Sequence, residues 1–396
     1  MKPDANALPM MTSSTALKFR LTFPPPVWSP VPGITDGATA LPSPDAETET
    51  LNFERLHIFL FNLCSGGTTL ISFTEDRPYL SRQACIFLAL SLIFSLCAFM
   101  QWYGPTLILP LLLAIIVERV RISHFGSCIP KGLFSSRETV SRKFHQAALL
   151  CLSLGLIQSS LVVLNNVYTH WLILQRLKLD TFFLGFSFPL SLVSMSVIFA
   201  LMREKVSQVT KFLQESAFWI INLGVIFFFL FILANLFVPQ VGVAILLFLT
   251  VGLILDIFWH QGIGLQQKAF LTSGIMFLLV TSITGIVYIL LAFSASYSPH
   301  LALPLLRLHA FTALYGWNLS GMVVIIRRRD FPLRLHSQKV IFLHWLTVLI
   351  LCPLGYFSPF FAILAVLAYI RMLYIMLFNE GQVDRTFISA EDRALN

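Results

Sequence analysis

Ten or eleven separate apolar stretches fill the chain from Leu56 to Phe378, most of them close to the roughly 20 residues that cross a bilayer as a helix. No other feature constrains the fold so strongly. Backbone N–H and C=O groups in hydrocarbon must be satisfied within the chain. The sequence therefore predicts an all-α, polytopic transmembrane helix bundle. The expected spans are 56–73, 84–102, 104–117, 145–165, 181–202, 217–238, 240–259, 268–293, 305–326, 338–356 and 358–378. The third is short, so 84–117 also reads as a single hairpin around Tyr103-Gly104-Pro105. The first is the weakest, with Asn62, Ser65, Gly66 and Gly67 in its middle, and reads as a span, a re-entrant segment or a helix packed deep in the bundle.

Composition agrees. Hydrophobic residues make up 57% of the chain and charged residues 12%, about half the charged share of a soluble domain. The 37 phenylalanines need lipid to cover them. A net charge of +8 invites a nucleic-acid partner, but most of the Lys and Arg lie in short links between spans, where the positive-inside rule expects them. The partners expected are the lipid bilayer and other membrane subunits, not nucleic acid. The six cysteines form no C-x-x-C pair and give neither a disulfide framework nor a zinc spacing.

Three regions follow. Residues 1–55 are a polar, Pro-rich tail (Pro24-Pro25-Pro26) of disordered composition without a cleavable signal peptide. Within it, Leu17–Phe23 alternates as a short strand or interfacial patch would. Residues 56–378 are the membrane domain, and 379–396 a short tail. The basic links Arg119–Lys143, Arg203–Lys211 and Arg327–Arg334 alternate with links near 239, 295–304 and 357 that lack Lys and Arg. One outer link, with Arg176 and Lys178, runs against the pattern. The basic links are expected to face the cytoplasm, with the C-terminus inside. Short loops favour a bacterial inner (plasma) membrane.

Ionisable groups inside a span cost about 2.5–3.5 kcal/mol on insertion scales, so each is a candidate site. His309 shares a helix face with Thr312, Ala313, Gly316 and Ser320. It reads as a haem or metal ligand, a proton-transfer group, or a histidine bonded across a seam of small residues. His57, at the start of the first span, matches its depth. Asp256, His344 and Arg371 all fall within about 10 Å of the inner boundary at ~1.5 Å per residue. They read as one intramembrane polar cluster, or as a locally paired Asp and a snorkelling Arg. His309 and His344 differ in depth by roughly 15 Å across a ~30 Å core, so one haem cannot take both. Asn222 and Asn318 are expected to bond across helices. No metal site is expected, and Glu75-Asp76 reads as a solvated turn.

The stretch His309-Ala310-Phe311-Thr312-Ala313-Leu314-Tyr315-Gly316 resembles the H-x-H-x-A-L-[FY]-G segment of haem-copper oxidases and nitric oxide reductases. Phe311 stands where that family has its second histidine, so the resemblance implies at most one haem ligand, His309. The family's copper histidines have no counterpart here. Three functions remain open: a haem- or redox-associated respiratory accessory protein, a small-solute or proton-coupled transporter, and a membrane scaffold or assembly subunit. Hydrolase and phosphate-loop motifs are absent from the sequence.

Overall fold

The structure, a computed structural model, describes residues 53–77, 79–171, 183–203, 206–264, 266–294, 299–328, 335 and 337–379. The tail readings for residues 1–52 and for the segment beyond 379, and the exception at Arg176 and Lys178, lie outside them. Among the described residues the chain is helical, and its β-structure is limited to an isolated backbone bridge between Met202 and Gly262.

Among the described residues eleven apolar helices follow one another. They are α1 Leu56–Glu75, α2 Arg82–Phe99, α3 Tyr103–Phe125, α4 Val140–Thr169, α5 Gly185–Ala200, α6 Gln208–Leu233, α7 Phe237–Gln261, α8 Gln267–Ala292, α9 Ala302–Ile326, α10 Gln338–Phe357 and α11 Pro359–Phe378. Each matches an expected span. Nine are long and apolar enough to cross a membrane; α5 is shorter, and α3 carries Glu118, Arg119 and Arg121. Segment 84–117 is two helices, because Gln101 adopts a positive φ of 58° and turns the chain between α2 and α3.

Local chemistry sets the ends. Ser81, Thr139 and Ser207 each accept a backbone N–H of the first turn that follows, at 3.0, 3.3 and 3.1 Å, the usual N-cap bond. Gly126 closes α3 at φ 70°, its N–H on the Ile122 carbonyl at 2.8 Å, a left-handed cap that glycine adopts without strain.

Helices α1, α4, α5 and α9 form the centre. Over its apolar window α9 is 67% buried, against 17% for α11 at the rim. Helices α6, α7 and α11 turn residues such as Phe227, Leu249, Ile363 and Leu367 outward, a surface suited to hydrocarbon. The first span is a helix packed in the bundle, with Asn62, Gly66 and Gly67 buried against protein and Ser65 exposed.

Contacts between turns sort them into two ends. At one end Arg328 pairs with Asp76, and Arg327 donates to the Leu377 and Asn379 carbonyls at 2.5 and 2.6 Å. The Met202–Gly262 bridge clips two more turns together there. At the other end the rings of Phe237 and Phe293 lie 4.4 Å apart. This grouping is the one the basic links drew from sequence.

Candidate functional site

Among the described residues five helices depart from α geometry. Besides Leu164–Thr169 at the end of α4 and Thr347–Leu351 in α10, three such stretches lie in α1, α5 and α9. Leu60–Gly67 in α1, Phe183–Ser187 at the start of α5 and Thr312–Asn318 in α9 are π-helical. A π turn leaves carbonyls out of the regular i→i−4 ladder and often marks a functional position. These three segments meet around one buried polar cluster.

Asn318, 1% exposed, is its hub. Its Nδ2 donates to Ser187 Oγ at 3.0 Å and reaches Asn62 Oδ1 at 3.4 Å. Its Oδ1 accepts from Ser191 Oγ at 2.9 Å, and Ser191 in turn accepts from Trp317 Nε1 at 3.0 Å. Asn62 is as deeply buried, and its Nδ2 has no acceptor among the described residues. A buried donor without a partner costs about 1–3 kcal/mol, so the cluster holds unspent hydrogen-bonding capacity. No member carries a formal charge. The small residues beside it are packing notches: Cβ atoms added at Gly66 and Gly67 would meet Leu190 at 3.1 Å and Phe87 at 2.8 Å.

Tyr315, inside the α9 π segment, links this cluster to two histidines. Its hydroxyl bonds His57 Nε2 at 2.7 Å, and its carbonyl accepts from His344 Nε2 at 2.7 Å. That second bond places the His344 proton on Nε2 and leaves Nδ1 a bare acceptor. Nδ1 is buried and meets no donor among the described residues, and the ring packs against Phe270 and Phe277.

His309 lies on the seam between α8 and α9. Its Nδ1 donates to the Thr281 carbonyl at 2.9 Å, with Thr284 Oγ1 at 3.3 Å, and a Cβ at Gly285 would come within 3.1 Å of the ring. The small-residue face read from sequence is this seam: Gly316 lies against Phe277, and Ser320 against Gly274. Fixing Nδ1–H on a carbonyl leaves the Nε2 lone pair as the ligating atom, the tautomer a metal-bound histidine uses. His57 turns to Tyr315 and His309 to α8, so the structure does not bring the two together.

The other expected trio is likewise distributed. Asp256 faces outward and pairs with His260 one turn on, at 3.3 Å. Arg371 is exposed, and His344 is buried at the centre. Asn318 bonds across helices as expected, whereas Asn222 donates to Phe218 of its own helix at 2.8 Å. Sequence reading did not single out Ser187, Ser191 or Tyr315. Serines in an apolar run such as Phe186-Ser187-Phe188-Pro189-Leu190-Ser191 give no signal of their own. Among the described residues no group of three or more His, Cys, Asp or Glu is arranged to hold a metal ion.

No protein-family model matches the chain, and no curated protein or solved structure is detectably similar to it.

Proposed function

We propose that this multi-pass membrane protein moves a small polar solute through the bundle, coupled to a proton. The observation that carries the reading is the meeting of three π-helical segments on a buried, uncharged polar cluster with an unspent Asn62 donor. Interrupted helices that expose backbone groups at depth recur where membrane transporters hold cargo and coupling ions. Asn62, Ser187, Ser191 and Asn318 are the cargo-facing groups in this reading. His344 Nδ1 is the proton acceptor, and the Tyr315 carbonyl couples its position to the α9 π turn. Asp256 and Arg371 play no part in the step. The basic end of the bundle is the cytoplasmic side of a bacterial inner membrane, with the C-terminus inside.

The test uses proteoliposomes loaded with pyranine under an imposed pH gradient, challenged with panels of amino acids, sugars and carboxylates. At least one solute should drive proton influx above protein-free vesicles, with the flux lost in Asn318→Ala and His344→Gln. A panel without any response, or variants that respond as the parent does, overturns the reading.

The Nδ1 bond of His309 favours a second reading, a haem held by that residue. Bound haem would add redox chemistry, and His309 would hold the iron from one side. A reduced-minus-oxidised spectrum of the purified protein tests it: a haem band lost in His309→Ala supports it, and a spectrum unchanged by the substitution removes it.

A further inference from the structure

At the basic end, the loop 126–139 and the first turns of α4 enclose a cavity of about 120 Å³. Ser127, Gly132, Glu138, Arg142, Lys143 and Gln146 line it. That volume far exceeds the ~10–15 Å³ one water needs and accepts a tetrahedral oxyanion. Three features point to such a ligand. First, the cavity lies beside the first turns of α4, at the positive end of its dipole. Second, two cations stand in the first turn. Lys143 is 1% exposed and donates to Glu215 of α6, leaving two of its three N–H donors for the cavity. Arg142 lies half exposed over the Phe125 ring and pairs with Glu138 at 2.9 Å.

Third, Gln146 has a side chain 97% buried (3% exposed) that lines the cavity and makes no hydrogen bond to any described residue. Its amide therefore bonds whatever enters the cavity, water or ligand. Gly132 makes room for it, since a Cβ there would sit 3.0 Å from Gln146 Oε1. Each cation has a carboxylate partner, Glu138 for Arg142 and Glu215 for Lys143, so an arriving anion competes with these two pairs.

We propose that this cavity is a phosphate-binding site, with Arg142, Lys143 and the Gln146 amide as its donors. Glu138 holds Arg142 when the site is empty and gives it up to the phosphate. The group comes either from a free phosphate compound or from an anionic lipid headgroup, since the cavity lies at the end of the membrane-spanning helices.

The experiment uses the full chain with two probes: inorganic phosphate by equilibrium dialysis in detergent, and phosphatidylglycerol retained by native mass spectrometry from phosphatidylglycerol/phosphatidylethanolamine vesicles. Arg142→Gln should weaken binding about tenfold, the low end of what a charge-assisted bond contributes. Glu138→Gln, which removes the competing carboxylate, should strengthen it. Both side chains are partly exposed, so neither change threatens the fold. Phosphate bound with this pattern identifies a soluble source. Lipid retained with this pattern, and phosphate not bound, identifies the headgroup. Failure of both probes, or equal binding by the parent and both variants, overturns the proposal.

Discussion

Gly155 of α4 and Gly185 at the start of α5 place two backbones in direct contact, and this contact seats the π turn that carries Ser187. A Cβ at Gly185 would lie 2.9 Å from the Gly155 Cα, and one at Gly155 would collide with the Gly185 backbone itself. Ordinary contact begins at 3.4 Å, so Gly185→Ala needs a parting of about 0.5 Å. The obstacle is backbone, which cannot rotate aside. Alanine gains roughly 0.5–1 kcal/mol over glycine within a helix, while overpacking costs about 1–3 kcal/mol. The loss wins, and Gly155→Ala should fall at its upper end. The shift also reaches the polar cluster. Ser187 Oγ lies 3.0 Å from Asn318 Nδ2, and a further ~0.5 Å brings that bond to the limit of bonding distance. Gly252 of α7 is the control, with no heavy atom within 4 Å of its added Cβ. Gly252→Ala should therefore stabilise by about 0.5–1 kcal/mol. Thermal unfolding in detergent, followed by a thiol dye reacting with buried Cys64 and Cys97, reads both signs. A Gly155→Ala protein as stable as the parent, or one that moves with Gly252→Ala, refutes the close-packing account.

Asn318→Ala removes bonds to Ser191, Ser187 and Asn62. At ~0.6 kcal/mol for an interhelical bond in a membrane protein the loss is roughly 2 kcal/mol, measured by unfolding in mixed micelles, and an unchanged midpoint would show that the cluster is not formed. Lys143 is buried and its partner Glu215 is partly exposed, so the two neutralising changes should differ. Glu215→Gln leaves a buried ammonium uncompensated and should destabilise by about 1–3 kcal/mol after solvent screening, whereas Lys143→Met should cost less in the same titration; equal losses would refute the asymmetry. Arg327 holds the last carbonyls of α11, so Arg327→Gln should raise hydrogen exchange around Leu377, while Arg371→Gln, at an exposed position, leaves it unchanged.

The spans were legible in the sequence because lipid imposes length and apolarity on every segment that crosses it. Their grouping into two ends was legible through Arg and Lys. Arg328 on Asp76 and Arg327 on the end of α11 then show that two of these arginines also tie distant turns together. Position along a helix axis was readable from sequence, since the rise per residue is constant. Azimuth was not. Asp256 and His344 come from helices whose rotation about their own axes depends on neighbours, and Asp256 turned outward. Hydropathy says little about rotation where a helix is apolar all round. The π segments were hidden for a related reason: their sequences are ordinary, and only Asn62 with Gly66-Gly67 hinted that α1 was irregular.

The placement of charge in the described bundle follows from the cost of burying it. Lys143, Arg121 and Arg327 are deeply buried near one end, each with a carboxylate or with carbonyls at hand. The cluster on the three π segments uses only amides, hydroxyls and an indole. An ion there would need a partner of opposite charge, and none of those groups supplies one. If the proposed transport runs through Asn62, Ser187, Ser191 and Asn318, its solute is neutral overall or carries its compensating charge with it. In the pyranine assay sugars and zwitterionic amino acids should outperform carboxylate anions, and a strict preference for anions would move the cargo site to the basic end, where α4 begins.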